Sequence, residues 1–399
     1  MQTINHRPNL GIVGFGEKST CQGVSKILIS QLGEHLQNEF DIHIYGCRKE
    51  GIDETANSVV KRFYLPGNLN QVQSLGHKIR TMARLLRTSD LVLALGTKNS
   101  FYLPFFRLFP KKKVIVYLDS VQSNNKESGF FKRWWSKFSE KIAVRFADKI
   151  ISEHQSIDQY LRKVYSVETE VIPMGGDHMI QEAISGSVFS FPDKPYALGL
   201  VNETSIAQTE MLLKALSNIK RYHMVLLGKW NATQAMSDLR DRYGAENSIH
   251  LVDDESMKAS LSAIKKGAAL YLHHHDKDST HPILLEEMSM GKPVLALDTP
   301  INREITHNHA LYYSDEETLI DHIENRDDYQ LEDVGEEMHH IIEQDRSWRQ
   351  IMRSFDKVLM EVYQTALAPK KEEKEEKKIL LLEEGKVAQV KNPELQTSK

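Results

Sequence analysis

The stretch AALYLHHHDKDSTHPILLEEMSMGKPVLAL, residues 268–297, reads as strand, loop, helix and strand. Ala268–His273 is a short apolar run that stops at a polar loop. Pro282 opens a helical stretch reaching Met290, with Thr280 or His281 placed to cap it and proline in the first turn. Pro293–Leu297 is the next apolar run. A strand, a crossover helix and a second strand make a βαβ unit of a mainly parallel sheet.

The same alternation continues in both directions. Upstream in this half lie strands at Tyr196–Val201, Met224–Leu227 and Ile249–Val252, with a helix at Thr209–Leu216. Breaker-rich segments at Ile172–Gly176 and Ser190–Pro195 interrupt the pattern. Before them runs an earlier series: Leu10–Gly16, a helix from Val24 to Leu36, then Asp41–Tyr45, Leu91–Leu95, Val114–Leu118 and Lys149–Ser152. The expected fold class is therefore α/β, with two Rossmann-like domains whose ligands sit at the C-terminal strand ends, in a cleft between them. The expected divisions are 1–185, 186–335, helices over 336–368 that pack back across the domains, and a charged tail over 369–399.

The composition narrows the class further. The 399 residues carry 51 Lys+Arg against 55 Asp+Glu, with 40% hydrophobic and 27% charged residues, a globular composition. No apolar run approaches the ~20 residues that span a bilayer. MQTINHRPNLGIVGFG lacks the pattern of a secretory signal, and Cys21 and Cys47 cannot build a disulfide framework. These features point to the cytoplasm. The net charge of −4 hides a contrast. Residues 101–149 hold 11 basic and four acidic side chains, so +7 there leaves −11 elsewhere. Within them, Phe130–Phe146 places apolar residues on one helical stripe, flanked by Lys132, Arg133, Lys137, Lys141 and Arg145. Such a stripe packs on its own domain or, with Trp134 and Trp135 at headgroup level, rests on an anionic membrane surface. No nucleic-acid reading motif accompanies the charge.

Three motifs bear on chemistry. A dinucleotide fingerprint at Gly14 and Gly16 would need a third glycine at position 19, which is serine. What remains, with Gly23, is a glycine loop that lets a ligand approach the backbone, or an ordinary strand-to-helix turn. His273, His274, His275, Asp276, Asp278 and His281 are rich in metal-ligating types, but successive residues at a strand end point to opposite sides. No metal is expected. Cys21 has no His or Asn arrangement beside it and reads as structural.

The 271–304 region resembles the nucleotide-sugar signature of retaining GT-B glycosyltransferases of the large "group 1" family (the family 4-like enzymes). Within them it is most like a bacterial branch that includes rhamnosyltransferases. The resemblance rests on Tyr271, His273, His275, Thr280, Pro282, Leu284, Glu286 and Met288, then on Pro293 through Asp298 to Asn302-Arg303-Glu304. Weaker likenesses are Gly23, Asp119, the run from Lys132-Arg133 to Ala147-Asp148, and Ile172-Pro173. It implies a GT-B architecture and transfer of a sugar from a nucleotide diphosphate donor to a glycan or lipid-linked acceptor, in cell-surface polysaccharide synthesis. Glu286 would contact the donor ribose. Asp278 would touch the sugar, as the first acid of an E-x7-E pair, and Asp119 the sugar or acceptor, these two being the catalytic candidates. Gly16, Gly23, Thr280, His281 and Pro282 would line the diphosphate and sugar. No cofactor is implied.

The family usually supplies an Arg and a Lys around the first strand and helix of the second domain. Residues 199–208 (GLVNETSIAQ) contain no basic residue. Lys229 and Arg303 are the replacements to look for; without one, the chain would be a non-catalytic binding or partner protein. A sugar epimerase would require acid/base carboxylates in the cleft, and none stands out.

Overall fold

In the computed structural model, the described residues are 7–14, 24–47, 61–65, 71–120, 130–179, 190–191, 193–201, 206–246, 248–253, 261–274, 282–325 and 327–367. They form two sheets. The first contains β1 (Asn9–Gly14), β2 (Asp41–Cys47), β3 (Lys61–Leu65), β4 (Leu91–Leu95), β5 (Lys113–Leu118), β6 (Lys149–Ser152) and β7 (Glu170–Val171), in the order β3-β2-β1-β4-β5-β6-β7. The second contains β8 (Tyr196–Leu200), β9 (His223–Gly228), β10 (Ile249–Asp253), β11 (Leu270–His273), β12 (Val294–Leu297) and β13 (Leu311–Tyr313), in the order β10-β9-β8-β11-β12-β13. Every pairing is parallel. Each half thus repeats the doubly wound order, with its reversal beside the first strand. These are the two Rossmann-like domains expected from the periodicity, in the GT-B architecture that the resemblance implied.

Parallel sheets covered by helices bury both faces, which explains the unbroken apolar strands. All five residues of β4 and all six of β9 are buried. Three strands escape the periodicity seen in the sequence. β3 (KRFYL) carries two charges, β7 has two residues and β13 has three, so each takes its strand character from its neighbour.

The halves are stitched by the linker and the last helix. One apolar cluster runs from Leu10 and Ile115 through Ile172 and Met174 to Leu285, Ile342, Trp348 and Phe355. The helix Trp348–Leu367 returns to the first domain, packing on Val24–His35 and β5, with Phe355 5.8 Å from the Tyr117 ring. At the C-terminal end of β6, Glu153 and His154 are buried, and the Gln155 N–H donates to Glu304 Oε1 of the second domain at 2.6 Å. Tyr117 O–H donates to Glu153 at 2.7 Å, and Arg346 is buried in the attractive field of Glu153, Glu304 and Asp345.

The linker passes so close to the second domain that only glycine fits. A Cβ on Gly176 would lie 2.7 Å from Ile342 Cδ1 and 3.2 Å from the Leu285 carbonyl oxygen. Gly176→Ala is therefore expected to cost about 1–3 kcal/mol through overpacking. An unchanged urea midpoint would show that the linker can lift away from the helix carrying Leu285.

Candidate functional site

The reversal of the second sheet lies between β8 and β11, the position at which sheets of this order hold ligands beyond their strand ends. β11 ends at His273, and the helix Pro282–Ser289 follows with Pro282 at its first position. Glu286 and Glu287 are neighbours on this helix, about 100° apart around its axis, and meet opposite environments. Glu286 is partly buried, with Oε2 accepting from Lys265 Nζ at 2.5 Å and Oε1 3.9 Å from His178 Nε2. Glu287 is 1% exposed, and neither of its carboxyl oxygens has a hydrogen-bond partner among the described residues. Burial pushes its pKa well above the usual carboxylate value, Lys265 opposing and Glu286 reinforcing the shift.

His273 is equally dry. Burial drives its imidazole down to about 3. Its Nδ1 lies 3.6 Å from Glu287 Oε2, and burial disfavours the charged form of both groups, which makes this a polar contact rather than an ion pair. His274 turns the other way, its Nδ1 meeting Tyr313 O–H at 2.6 Å. The two histidines thus point apart, and no group of three or more His, Cys, Asp or Glu among the described residues is arranged to hold a metal ion.

Lys265 is the cation that sequence reading passed over. It lies on the helix Leu261–Gly267 and is 5% exposed. The last turn of that helix is fixed by two buried tyrosine hydroxyls: Tyr196 of β8 donates to the Ile264 carbonyl and Tyr271 of β11 to the Lys265 carbonyl. These bonds tie down carbonyls of the last turn, the Lys265 carbonyl also accepting from the Ala268 N–H, and hold the backbone that carries the lysine. The only available signal was the Lys265-Lys266 pair directly before an apolar strand, which looks like an ordinary basic helix end.

The other expected residues are dispersed. Asp119 follows β5 at its C-terminal end, half-buried, accepting from Ser120 O–H at 3.2 Å. Lys229 is exposed at the C-terminal end of β9. Arg303 is held by Asp298 in a two-pronged pair at 2.6 and 2.9 Å and lies 4.2 Å over the Tyr312 ring, so an anion would have to compete for it. Gly16, Gly23, Asp278, Thr280 and His281 lie outside the described residues.

On the other domain, the helix Phe130–Phe146 presents Trp134 at 52% and Trp135 at 50% exposure, with Phe138 stacked on Trp134 and Lys137 exposed beside them. Lys132 and Arg133 share the helix, though their side chains are not described. The short helix Leu103–Phe106, which packs against it, adds exposed Phe105, and the following turn adds Leu108 and Phe109. Among the described residues, no helix is long and apolar enough to cross a membrane.

No family model matches the chain. No curated protein matches it in sequence. Solved structures do match in fold. Sucrose-phosphate synthase from Thermosynechococcus elongatus superposes with a TM-score of 0.70 at 14% identity, over 90% of this chain and 100% of that one. HepE of Anabaena in complex with UDP gives 0.68 at 14% identity, over 88% of this chain and 100% of that one; a second HepE structure holds UDP and glucose. The lipopolysaccharide outer core galactosyltransferase WaaB, in its apo form, gives 0.58 at 14% identity, over 88% and 99%. The chain therefore has the two-domain fold these proteins share.

Proposed function

We propose that the chain is a glycosyltransferase that binds a nucleotide diphospho-sugar in its second domain and moves the sugar to a glycan or lipid-linked acceptor. The observation that carries this is Glu286, a carboxylate that accepts from buried Lys265 at the strand reversal where such folds hold nucleotides. The HepE complexes, with UDP in the same fold, support it. The carboxylate accepts from ribose hydroxyls, and the N-terminal turn of Pro282–Ser289 favours the diphosphate. Departure of the nucleoside diphosphate then needs dipoles and cations rather than a metal. Retention of configuration, relation to the rhamnosyltransferase branch and a place in cell-surface polysaccharide synthesis belong to the same proposal. The test is incubation with UDP-, dTDP- and GDP-sugars, following both binding and nucleotide release. If none binds, the donor site is misassigned.

A non-catalytic binding protein is the second reading, favoured by the absence of a basic residue in 199–208 and by the engagement of Arg303 with Asp298. Binding without nucleotide release, in the presence of acceptor extracts, would select it.

We further propose that the enzyme works at the inner face of the cell membrane, seated by the exposed aromatic face and its basic flank. Aromatic rings at headgroup depth and lysines near an anionic surface act together, each basic residue contributing about 1 kcal/mol. Trp134→Ala with Trp135→Ala should lower partition onto vesicles containing phosphatidylglycerol by about tenfold or more. Salt should weaken the wild type too. Equal sedimentation of both proteins would remove the membrane assignment.

A further inference from the structure

Resting on the assignment of Glu286 to the donor ribose, we propose that His178 is a positioning residue that sets how Glu286 meets the ribose hydroxyls, and that Trp348 sets its tautomer. His178 belongs to the short turn Asp177–Met179, on the linker between the two sheets, far in sequence from the helix that carries Glu286.

Trp348, the first residue of the final helix, holds this turn at two points. Its backbone N–H donates to Asp177 Oδ1 at 2.8 Å, and its indole Nε1–H donates to His178 Nδ1 at 3.1 Å. An indole nitrogen can only donate, so His178 Nδ1 must present a lone pair. The neutral ring therefore carries its proton on Nε2, the atom that faces Glu286 Oε1 at 3.9 Å. Trp348 itself has little freedom: it is 2% exposed, and a Cβ on Gly175 would lie 2.7 Å from its ring.

Glu286 thus has an N–H on each side. Lys265 takes Oε2 in a full hydrogen bond, while the His178 N–H stands beyond hydrogen-bond range of Oε1. That separation leaves Oε1 lone pairs for a hydroxyl donor, and the N–H dipole steers the carboxylate plane without occupying it. The chemistry selected is a nucleotide with a free ribose hydroxyl, and the discrimination comes from residues 178 and 348 as well as 286.

The experiment measures binding of UDP, GDP, ADP and dTDP to the full chain by calorimetry, then compares whichever binds with its 2′,3′-dideoxy form. The wild type should prefer the hydroxylated nucleotide by about tenfold or more, the size of one charged hydrogen bond. His178→Phe and Trp348→Phe should reduce that preference to less than about threefold. His178→Gln, whose amide can accept from Trp348 and donate toward Glu286, should recover most of it. An undiminished preference in folded His178→Phe or Trp348→Phe overturns the role of His178, while loss of the preference in Glu286→Ala leaves the ribose assignment standing. If Glu286→Ala keeps the preference, or none of the four nucleotides binds, the assignment beneath it fails.

Discussion

Glu286→Ala should weaken nucleotide-sugar binding by about tenfold to a hundredfold and destabilise the chain by about 3–5 kcal/mol, and the two losses have different causes. Binding falls because the ribose hydroxyls lose a charged acceptor, worth about 1.5–3 kcal/mol per hydrogen bond. Stability falls because Lys265, 5% exposed and anchored by the tyrosine-clamped helix end, is left as an unpaired buried cation. Replacing both members, with Lys265→Met and Glu286→Leu, should recover most of the stability and none of the binding. Urea midpoints and calorimetry on the single and double variants separate the effects. Retained affinity in Glu286→Ala would remove the ribose assignment. A stability loss that persists undiminished in the double variant would show that the packing around the helix, not the unpaired charge, is responsible.

The second large effect is the pH dependence of stability, where His273 and Glu287 pull in opposite directions. His273 has its folded pKa pushed from 6.5 to about 3 by burial. Its contribution is complete above the unfolded value and is lost as pH falls from about 6.5 towards 3, amounting to about 4–5 kcal/mol at the acid end. Glu287 has its folded pKa raised well above 4.5, chiefly by burial. Its contribution is complete below 4.5 and is lost as pH rises through the folded value, because the unfolded chain ionises first. Glu287→Gln removes that titration while keeping the shape. The variant should gain on the wild type steadily from about pH 5 upward and show no gain at pH 4. His273→Asn should flatten the acid limb instead. Urea midpoints from pH 4 to 8 read both; a Glu287→Gln profile parallel to the wild type would mean that Glu287 is ionised in the fold, with a counter-charge to hold it.

Much of the architecture was legible because it rests on local periodicity. The apolar runs at Leu91–Leu95 and Met224–Leu227 could only be buried strands, and the helices between them force parallel crossovers. The helix that carries Glu286 was legible because a polar loop and a proline helix start follow an apolar strand within a few residues. β3 and β13 were not, since a charged or three-residue strand acquires its pairing from a neighbour. Nor could Arg303 be judged from its motif, because the two-pronged grip of Asp298 and the Tyr312 face appear only when the loop folds back.

By itself, the sequence determined two α/β halves, the strand–loop–helix that carries Glu286, and the basic aromatic helix. These follow from spacing along the chain, and hydrophobic burial enforces them one element at a time. Only the tertiary structure decided which charges meet. Lys265 lies 21 residues from Glu286, and Trp348 lies 170 residues from His178. It also decided that Glu286 meets a lysine while burial pushes the pKa of its neighbour Glu287 well up, because a 100° turn of one helix separates a paired, partly wetted site from a dry core. Residue type fixes a side chain's ordinary pKa; burial and partners, which exist only in three dimensions, decide its charge.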